Sequence, residues 1–410
     1  MHGNDPDVLI IGAGCAGIAA ARALIAEGQS CVVLEAGARV GGRAFTTQAL
    51  GAPLDLGATW LHGARENPLS AFIGPHLDHD TVRERHLHLG ERFATAAEFA
   101  AYWRAHADFE AALANSPQTP DRSVMQAAPQ GGPWDATIAH WLGAQINGVE
   151  LGGVSLEDYL KTDLTGPNLL PREGVGSLVA RLAEGLPIRL HHVVTRLDWS
   201  GPGVVAEGDW GRLRAGRAIV TVSNGVLAAG GIAFTPALPA ATQAAIQGLP
   251  MGLLTKIAFR ARGADRLGMA PFHNARRAVT REAPQPMSWV FWPFGADHIF
   301  GFVGGARAWD LSRQGPAATE AAARADLAAL FGPRAEAALG EALVSNWGED
   351  PLFRGSYTHA RPGHHASRAV LAAPLGEGRL CFAGEACHAR FAGTTGGAWL
   401  SGETAARISG

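Results

Sequence analysis

Apolar residues fall along the chain in three rhythms. The first is the unbroken run: residues 8–11 and 31–34 are apolar throughout and read as strands buried on both faces. Shorter β-type runs follow at 188–190, 193–197, 204–207 and 218–222, and a short apolar strand leads into Gly384 and Glu385. Alternation is the second rhythm. Residues 253–260 alternate as a half-buried strand does, which sets Lys256 on one face between apolar neighbours. Residues 287–292 and 298–303 are β-rich on either side of a turn at 295–297, a predicted hairpin. The third rhythm is Ala-rich and helical. It predicts helices over 18–27, stopped by Gly28, and over 95–114, 134–145, 317–330 and 334–343, with 115–135 as a Pro- and Gln-rich loop.

The first strand, helix and second strand carry a nucleotide fingerprint. Gly12, Gly14 and Gly17 stand at G-x-G-x-x-G spacing between them, and Glu35 ends the second strand. Gly12 allows the tight turn, Gly14 lets a pyrophosphate approach the backbone, and Gly17 lets helix and strand pack closely. The helix N-terminus attracts phosphate, and a carboxylate about 20 residues on can accept both ribose hydroxyls. At 410 residues the chain exceeds one compact core. The expected division is an α/β nucleotide domain from 1–74, 171–250 and 346–410. A second domain takes 75–170, which is helical with a His-rich stretch at 83–88, and 251–345, which adds sheet and helices.

Charge and composition narrow the function. A net charge of −3 leaves no electrostatic footprint for nucleic acid. No apolar run reaches the length of a membrane span, and residues 1–6 are polar and lead straight into the first strand. The four cysteines form no C-x-x-C pair, so a reducing, cytoplasmic setting is expected. His86 and His88 lack further ligands at zinc spacing, so no metal site is expected.

Further along, candidate chemistry gathers around more glycines. Gly41 and Gly42 permit a second close approach of backbone, with Arg43 placed to meet a phosphate. In Gly57-Ala58-Thr59-Trp60-Leu61-His62-Gly63, bulky groups stand beside bare backbone, as where a chain lines a flat ligand. Near the end, Trp347 and Tyr357, one of only three tyrosines, precede Gly384-Glu385. The turn at Gly393, Thr394 and Thr395 then opens a final helix, a second helix N-terminus able to face a cofactor.

Together these pieces resemble the FAD-dependent amine oxidase family, and within it the polyamine oxidase branch. The resemblance runs from Val8 to Ala406 and is weakest over 80–150. It is carried by the fingerprint, the 57–63 segment followed by Glu66-Asn67-Pro68-Leu69, the Lys256 strand, Arg354-Gly355-Ser356-Tyr357 and Phe382-Ala383-Gly384-Glu385-Ala386. The implied fold is a Rossmann-like FAD-binding domain of the glutathione-reductase type interleaved with a substrate domain of mixed sheet and helices. The implied FAD contacts are Gly12, Gly14 and Gly17 at the pyrophosphate, Glu35 at the adenosine ribose, Arg43 at the phosphates and the Val194 backbone at the adenine. Gly57, Ala58, Thr59 and Trp60 would lie along the flavin. Gly384, Glu385, Thr394 and Thr395 would hold the ribityl and ring end, and Trp347 and Tyr357 would wall the ring. Lys256 would hold a water near flavin N5, and His62 would contact the substrate amine.

The sequence also departs from its monoamine-oxidising relatives. Their flavin-tethering cysteine corresponds to Ser356, implying non-covalent FAD. Of their two-tyrosine cage Tyr357 remains, while Thr394 takes the second place, which favours the polyamine and histone-demethylase side. The implied reaction is oxidation of an amine such as spermine, spermidine or an acetylated form. Hydride passes to FAD, the imine hydrolyses, and dioxygen becomes hydrogen peroxide. Partners are then a small amine and dioxygen, with the chain a monomer or homodimer. Three rivals stay open. One is an amino-acid oxidase, which needs an arginine for the substrate carboxylate. Another is a flavin desaturase or porphyrinogen-type oxidase of the same fold, and the last a nucleotide-binding module without oxidase chemistry.

Overall fold

The fingerprint strand Val8–Ile11 is buried along its whole length and pairs in parallel with Cys31–Leu34 on one side and Arg217–Val220 on the other. Leu380–Phe382 and Ile188–Arg189 complete a five-stranded parallel sheet, in the order 380–382, 217–220, 8–11, 31–34, 188–189. The computed structural model of the chain describes residues 5–408 apart from Arg83, Asp163 and Ala264, so Arg83 of the His-rich stretch lies outside the described residues. Helices Cys15–Ala26 and Thr395–Ala406 pack together, and a Cβ on Gly402 would stand 2.1 Å from the Ala16 carbonyl oxygen. Only a glycine lets the two helices approach that closely. This arrangement is the α/β fold that the apolar runs predict.

The alternating strands build a seven-stranded sheet. Its order is Leu339–Val344, Leu254–Ala261, His298–Gly304, Ser288–Phe291, Asn274–Arg277, Arg85–Leu89, Arg92–Phe93. One face buries Ile257, Phe259, Trp289, Phe291, Ile299 and Val303 against helices Gly305–Gln314 and Pro316–Phe331. The opposite face carries Lys256, Phe302, Ser288 and Arg276, and it floors a large cavity. Helix Ala96–Ala114 lies in the cover over the far end of that floor, with Tyr102, Phe109 and Leu113 in a shared apolar cluster. Thr95 and Glu98 form a reciprocal capping box at its start.

Four expectations change. The helix expected over 334–343 stops at Ala338, and Leu339–Val344 instead pairs antiparallel with the Lys256 strand. Its Ala-rich composition favours helix, but an open sheet edge beside it decides otherwise. The helix expected over 134–145 runs Asp135–His140 and then widens into a π-helical turn, Trp141–Asn147. The His-rich stretch supplies a strand, Arg85–Leu89, because it finds a parallel partner in Asn274–Arg277. The run at 193–197 pairs only as Arg196–Asp198, leaving Val193 and Val194 at the cavity wall.

Candidate active site

A cavity of about 1010 Å³ runs from Gly12 and Glu35 to Arg276. Its first end is made of backbone. Helix Cys15–Ala26 begins at Gly14 with no side-chain cap, so its leading N–H groups have no side-chain acceptor. Gly12 has φ +109°, and a Cβ there would stand 2.7 Å from Thr221 Oγ1. A Cβ on Gly17 would stand 1.9 Å from the Gly12 carbonyl oxygen, whereas one on Gly14 meets nothing within 4 Å. The protein itself fills the space at Gly12 and Gly17, and the space at Gly14 belongs to the cavity. Glu35 is held at the wall by N–H bonds from Ala13 (2.7 Å, to Oε2) and Gly37 (2.7 Å, to Oε1). Gly384, with φ +149° and an equally open Cβ direction, faces the same cavity.

A buried ionic chain stands behind this end. Arg43 donates to the Ser356 carbonyl (2.8 Å) and to Glu385 Oε1 (3.0 Å). Glu385 accepts in addition from the Thr358 hydroxyl (2.7 Å), and Arg368 grips Asp158 through two bonds of 2.7 Å. Arg43 and Glu385 therefore reach the cavity as a mutually neutralised pair. Thr394 caps helix Thr395–Ala406 by accepting from Gly397 N (2.9 Å). Ser356 bonds both backbone groups of Leu254 at 3.0 Å. Open N–H groups at one end, a poised carboxylate and glycine-bared walls fit an adenine dinucleotide.

The middle of the cavity is a clamped segment. A Cβ on Gly57 would stand 1.8 Å from the Arg43 carbonyl oxygen and 3.2 Å from the Trp347 ring, whose Nε1 donates to Leu56 O (2.9 Å). Lys256 is 3% exposed, and its ammonium donates to Asp55 O (2.7 Å), Gly57 O (2.8 Å) and Thr59 Oγ1. Burial pulls its pKa down to about 8, against the raising effect of Asp55. The expected water therefore has no spare donor on the Lys256 ammonium, because all three N–H bonds end on protein. Asp55 in turn accepts from Val175 N (3.0 Å) and Gly176 N (3.2 Å), which caps helix Val175–Leu182. Tyr357 donates to Ile146 O (2.9 Å), and burial pushes its hydroxyl pKa up.

Beyond this segment the wall is made of side chains. His62 Nδ1 lies 2.6 Å from Asn168 Oδ1, and Asn168 Nδ2 donates to Asp80 Oδ2 (2.7 Å). Since the amide nitrogen faces Asp80, its oxygen faces His62. Nδ1 then carries a ring proton and donates it to Asn168. Trp60 Nε1 reaches His79 Nδ1 at 3.1 Å, and its ring stands 6.4 Å from that of Phe302. Each residue expected at the site lines this cavity except Gly17, which packs behind Gly12. Asn168, Asp80, His79 and Arg276 went unforeseen: Asp80 falls where the resemblance is weakest, Arg276 lies in a strand that carries no motif, and His79 and Asn168 stand outside every motif.

Zinc spacing did not reveal one cluster. Glu84, His86 and His273 place one possible ligand atom each within 4.8 Å of one another. His273 comes from a segment distant in sequence, so local spacing could not show it. Among the described residues no helix is long and apolar enough to cross a membrane.

The profile of a family described as flavin containing amine oxidoreductase matches residues 15–99 and 91–408. Polyamine oxidase 4 of rice is 29% identical over 98% of this chain and 88% of its own length. Lysine-specific histone demethylase 1 homolog 2 of rice is 28% identical over 96% of this chain, which spans only 56% of that relative. A putrescine oxidase double mutant has a similar structure, with TM-score 0.81, 22% identity and coverage of 98% of this chain and 99% of its own. Cyclohexylamine oxidase from Brevibacterium oxydans gives TM-score 0.77 at 22% identity, with 98% of both chains covered.

Proposed function

The chain belongs to the family of flavin-containing amine oxidoreductases, and on that premise we propose that it oxidises a small amine at the carbon bonded to nitrogen. Its cofactor is FAD, which when bound accepts a hydride from that carbon at N5 and passes the electron pair to dioxygen, giving hydrogen peroxide. Gly12, Gly14 and the start of helix Cys15–Ala26 would hold the pyrophosphate, Glu35 the ribose and the Val194 backbone the adenine. Gly57, Ala58, Thr59, Trp60 and Trp347 would line the flavin ring, and Glu385, Thr394 and Thr395 would hold the ribityl and ring end. Ser356, with no thiol to offer, leaves the cofactor non-covalent.

The amine must lose a proton before its carbon can give up a hydride. His62, oriented at the cavity wall by Asn168, takes that proton. The iminium product then adds water and divides into a carbonyl compound and a smaller amine or ammonia. Lys256 fixes the 55–59 segment so that Trp60 and Thr59 keep their places at the ring. The observation that carries this reading is one continuous cavity joining the glycine cradle to His62.

The relatives named polyamine oxidases support a polyamine such as spermine, spermidine or an acetylated form as substrate. The Trp60 and Tyr357 rings supply faces for a cationic chain. A second reading is an amine that ends in an acid, favoured by Arg85 and Arg276 on the cavity wall. The test is anaerobic mixing of the purified protein with amines while the flavin absorbance is followed. Bleaching that reverses in air, with peroxide formed, is the expected result. A yellow protein that no amine bleaches would overturn the oxidase reading.

A further inference from the structure

Two strands of the seven-stranded sheet begin side by side. In the parallel pair Arg85–Leu89 and Asn274–Arg277, Arg85 stands opposite Asn274 and His86 opposite Ala275. One step back along each chain, Glu84 falls opposite His273. Side chains alternate between the faces of a sheet, so Glu84, His86 and His273 emerge on one side of it. The two leading residues are tied to the sheet by their backbones. The Glu84 carbonyl accepts from Asn274 N (2.7 Å), and the His273 carbonyl from Phe291 N (2.9 Å). The His86 ring packs edge-on against Phe93, with ring centres 5.7 Å apart.

The three side chains converge. His86 Nε2 lies 3.1 Å from His273 Nδ1 and 3.7 Å from Glu84 Oε1, and His273 Nε2 lies 3.4 Å from Glu84 Oε2. A tetrahedral ion with bonds of about 2.0–2.1 Å holds its ligand atoms about 3.3 Å apart, the scale of these separations. A hydrogen bond between the rings accounts for the 3.1 Å contact alone. A cation among the three accounts for the carboxylate as well, which turns one oxygen toward each ring. A proton is the competing occupant, and metal and proton exclude one another at an imidazole nitrogen. Two imidazoles and a carboxylate suit zinc and its first-row neighbours, whereas magnesium and calcium take oxygen ligands. Both rings are partly buried and Glu84 is exposed, so an ion can enter from solvent.

We infer that Glu84, His86 and His273 form a binding site for a divalent transition metal, with zinc as its occupant. His86 Nε2, His273 Nδ1 and one Glu84 oxygen are the protein ligands, and water takes the fourth position. The site does not rest on the amine oxidation proposed above. It clips together the starts of two strands whose histidines lie 187 residues apart in the chain. His86 also lines the large cavity, so the clip fixes one edge of the cavity wall.

Zinc chloride titrated by calorimetry into the untagged, chelator-washed, FAD-loaded protein tests this directly. One equivalent is expected to bind with a Kd of about 10 µM or tighter. Glu84→Gln, a change at an exposed side chain, is expected to weaken binding about tenfold, and His86→Asn or His273→Asn about a hundredfold. Cobalt(II) in place of zinc reads the geometry. Absorption bands of a four-coordinate ion, beyond the flavin absorbance, should appear with wild type and vanish with His273→Asn. Bound FAD measured in the same samples shows each variant to be folded, and Glu84→Gln carries the test if a histidine variant loses its flavin. Wild-type binding no tighter than about 1 mM would overturn the site. So would one equivalent of tightly bound zinc that all three substitutions leave unchanged.

Discussion

At its nucleotide end the cavity is walled by backbone, and at its amine end by side chains gathered from far apart in the sequence. Gly12, Gly14 and Gly17 do their work by lacking a Cβ within six residues of one another. His62, Asn168 and Asp80 are joined only because three distant segments meet. Backbone recognition must be written as glycine at fixed spacing, because no other residue leaves the space. Side-chain recognition can be drawn from any segment that reaches the cavity, and its members can be exchanged one at a time.

The sharpest test of this contrast lies within the fingerprint. Gly17→Val should drive a Cβ into the Gly12 carbonyl and cost more than about 4 kcal/mol, so that little folded protein is recovered. Gly14→Ala meets no protein atom and has an ordinary φ of −79°, so the apoprotein should keep its melting temperature while FAD retention falls severely. Equal loss of fold in both variants would end the distinction between glycines kept for packing and glycines kept for ligand.

The next largest effect is expected at the other end. Asn168→Leu removes the partner that orients the His62 ring, and kcat/KM should fall about a hundredfold with FAD content unchanged. The pH–rate profile should lose the sharpness of its acidic limb. A purely structural role would lower FAD content and melting temperature together and leave that limb as it was.

Lys256 sits between the two ends, and its effect should be smaller and tied to pH. Its pKa is about 8 in the folded chain against 10.5 for an ordinary lysine. Between those values the unfolded chain binds more protons, so stability contributed at this site rises with pH across that window. Urea midpoints of wild type and Lys256→Met should therefore diverge in favour of wild type from about pH 8 to 10.5. A constant difference would show that the charge is not buried in solution.

The smallest effect belongs away from both ends. Thr95→Ala breaks the capping box of helix Ala96–Ala114 and should cost about 1 kcal/mol in thermal unfolding, with kinetics unchanged.

The same contrast explains what could be read from the sequence. The strand, turn and helix around Gly12 follow local rules, and so do the Lys256 strand and the final helix. The strand at 339–344 was concealed because Ala-rich residues favour helix until a sheet edge is available. The strand at 85–89 was concealed because its polar residues face a cavity rather than water. Asn168 and Arg276 left no local mark, since their roles depend on partners far away in the chain. Of the roles expected at the site, the water on Lys256 fits the geometry least well, because three backbone and hydroxyl oxygens already claim its donors.

The order of strands in the parallel sheet bears on how the protein is made. Strands 8–11 and 31–34 leave the ribosome early, yet a wall of their sheet waits for 217–220 and its edge for 380–382. Helix Thr395–Ala406, which packs on the fingerprint helix, is later still. For most of synthesis the first βαβ unit must carry uncovered Val, Ile and Leu, a state prone to aggregation. The proposed FAD contacts at Glu385, Thr394 and Thr395 therefore emerge last.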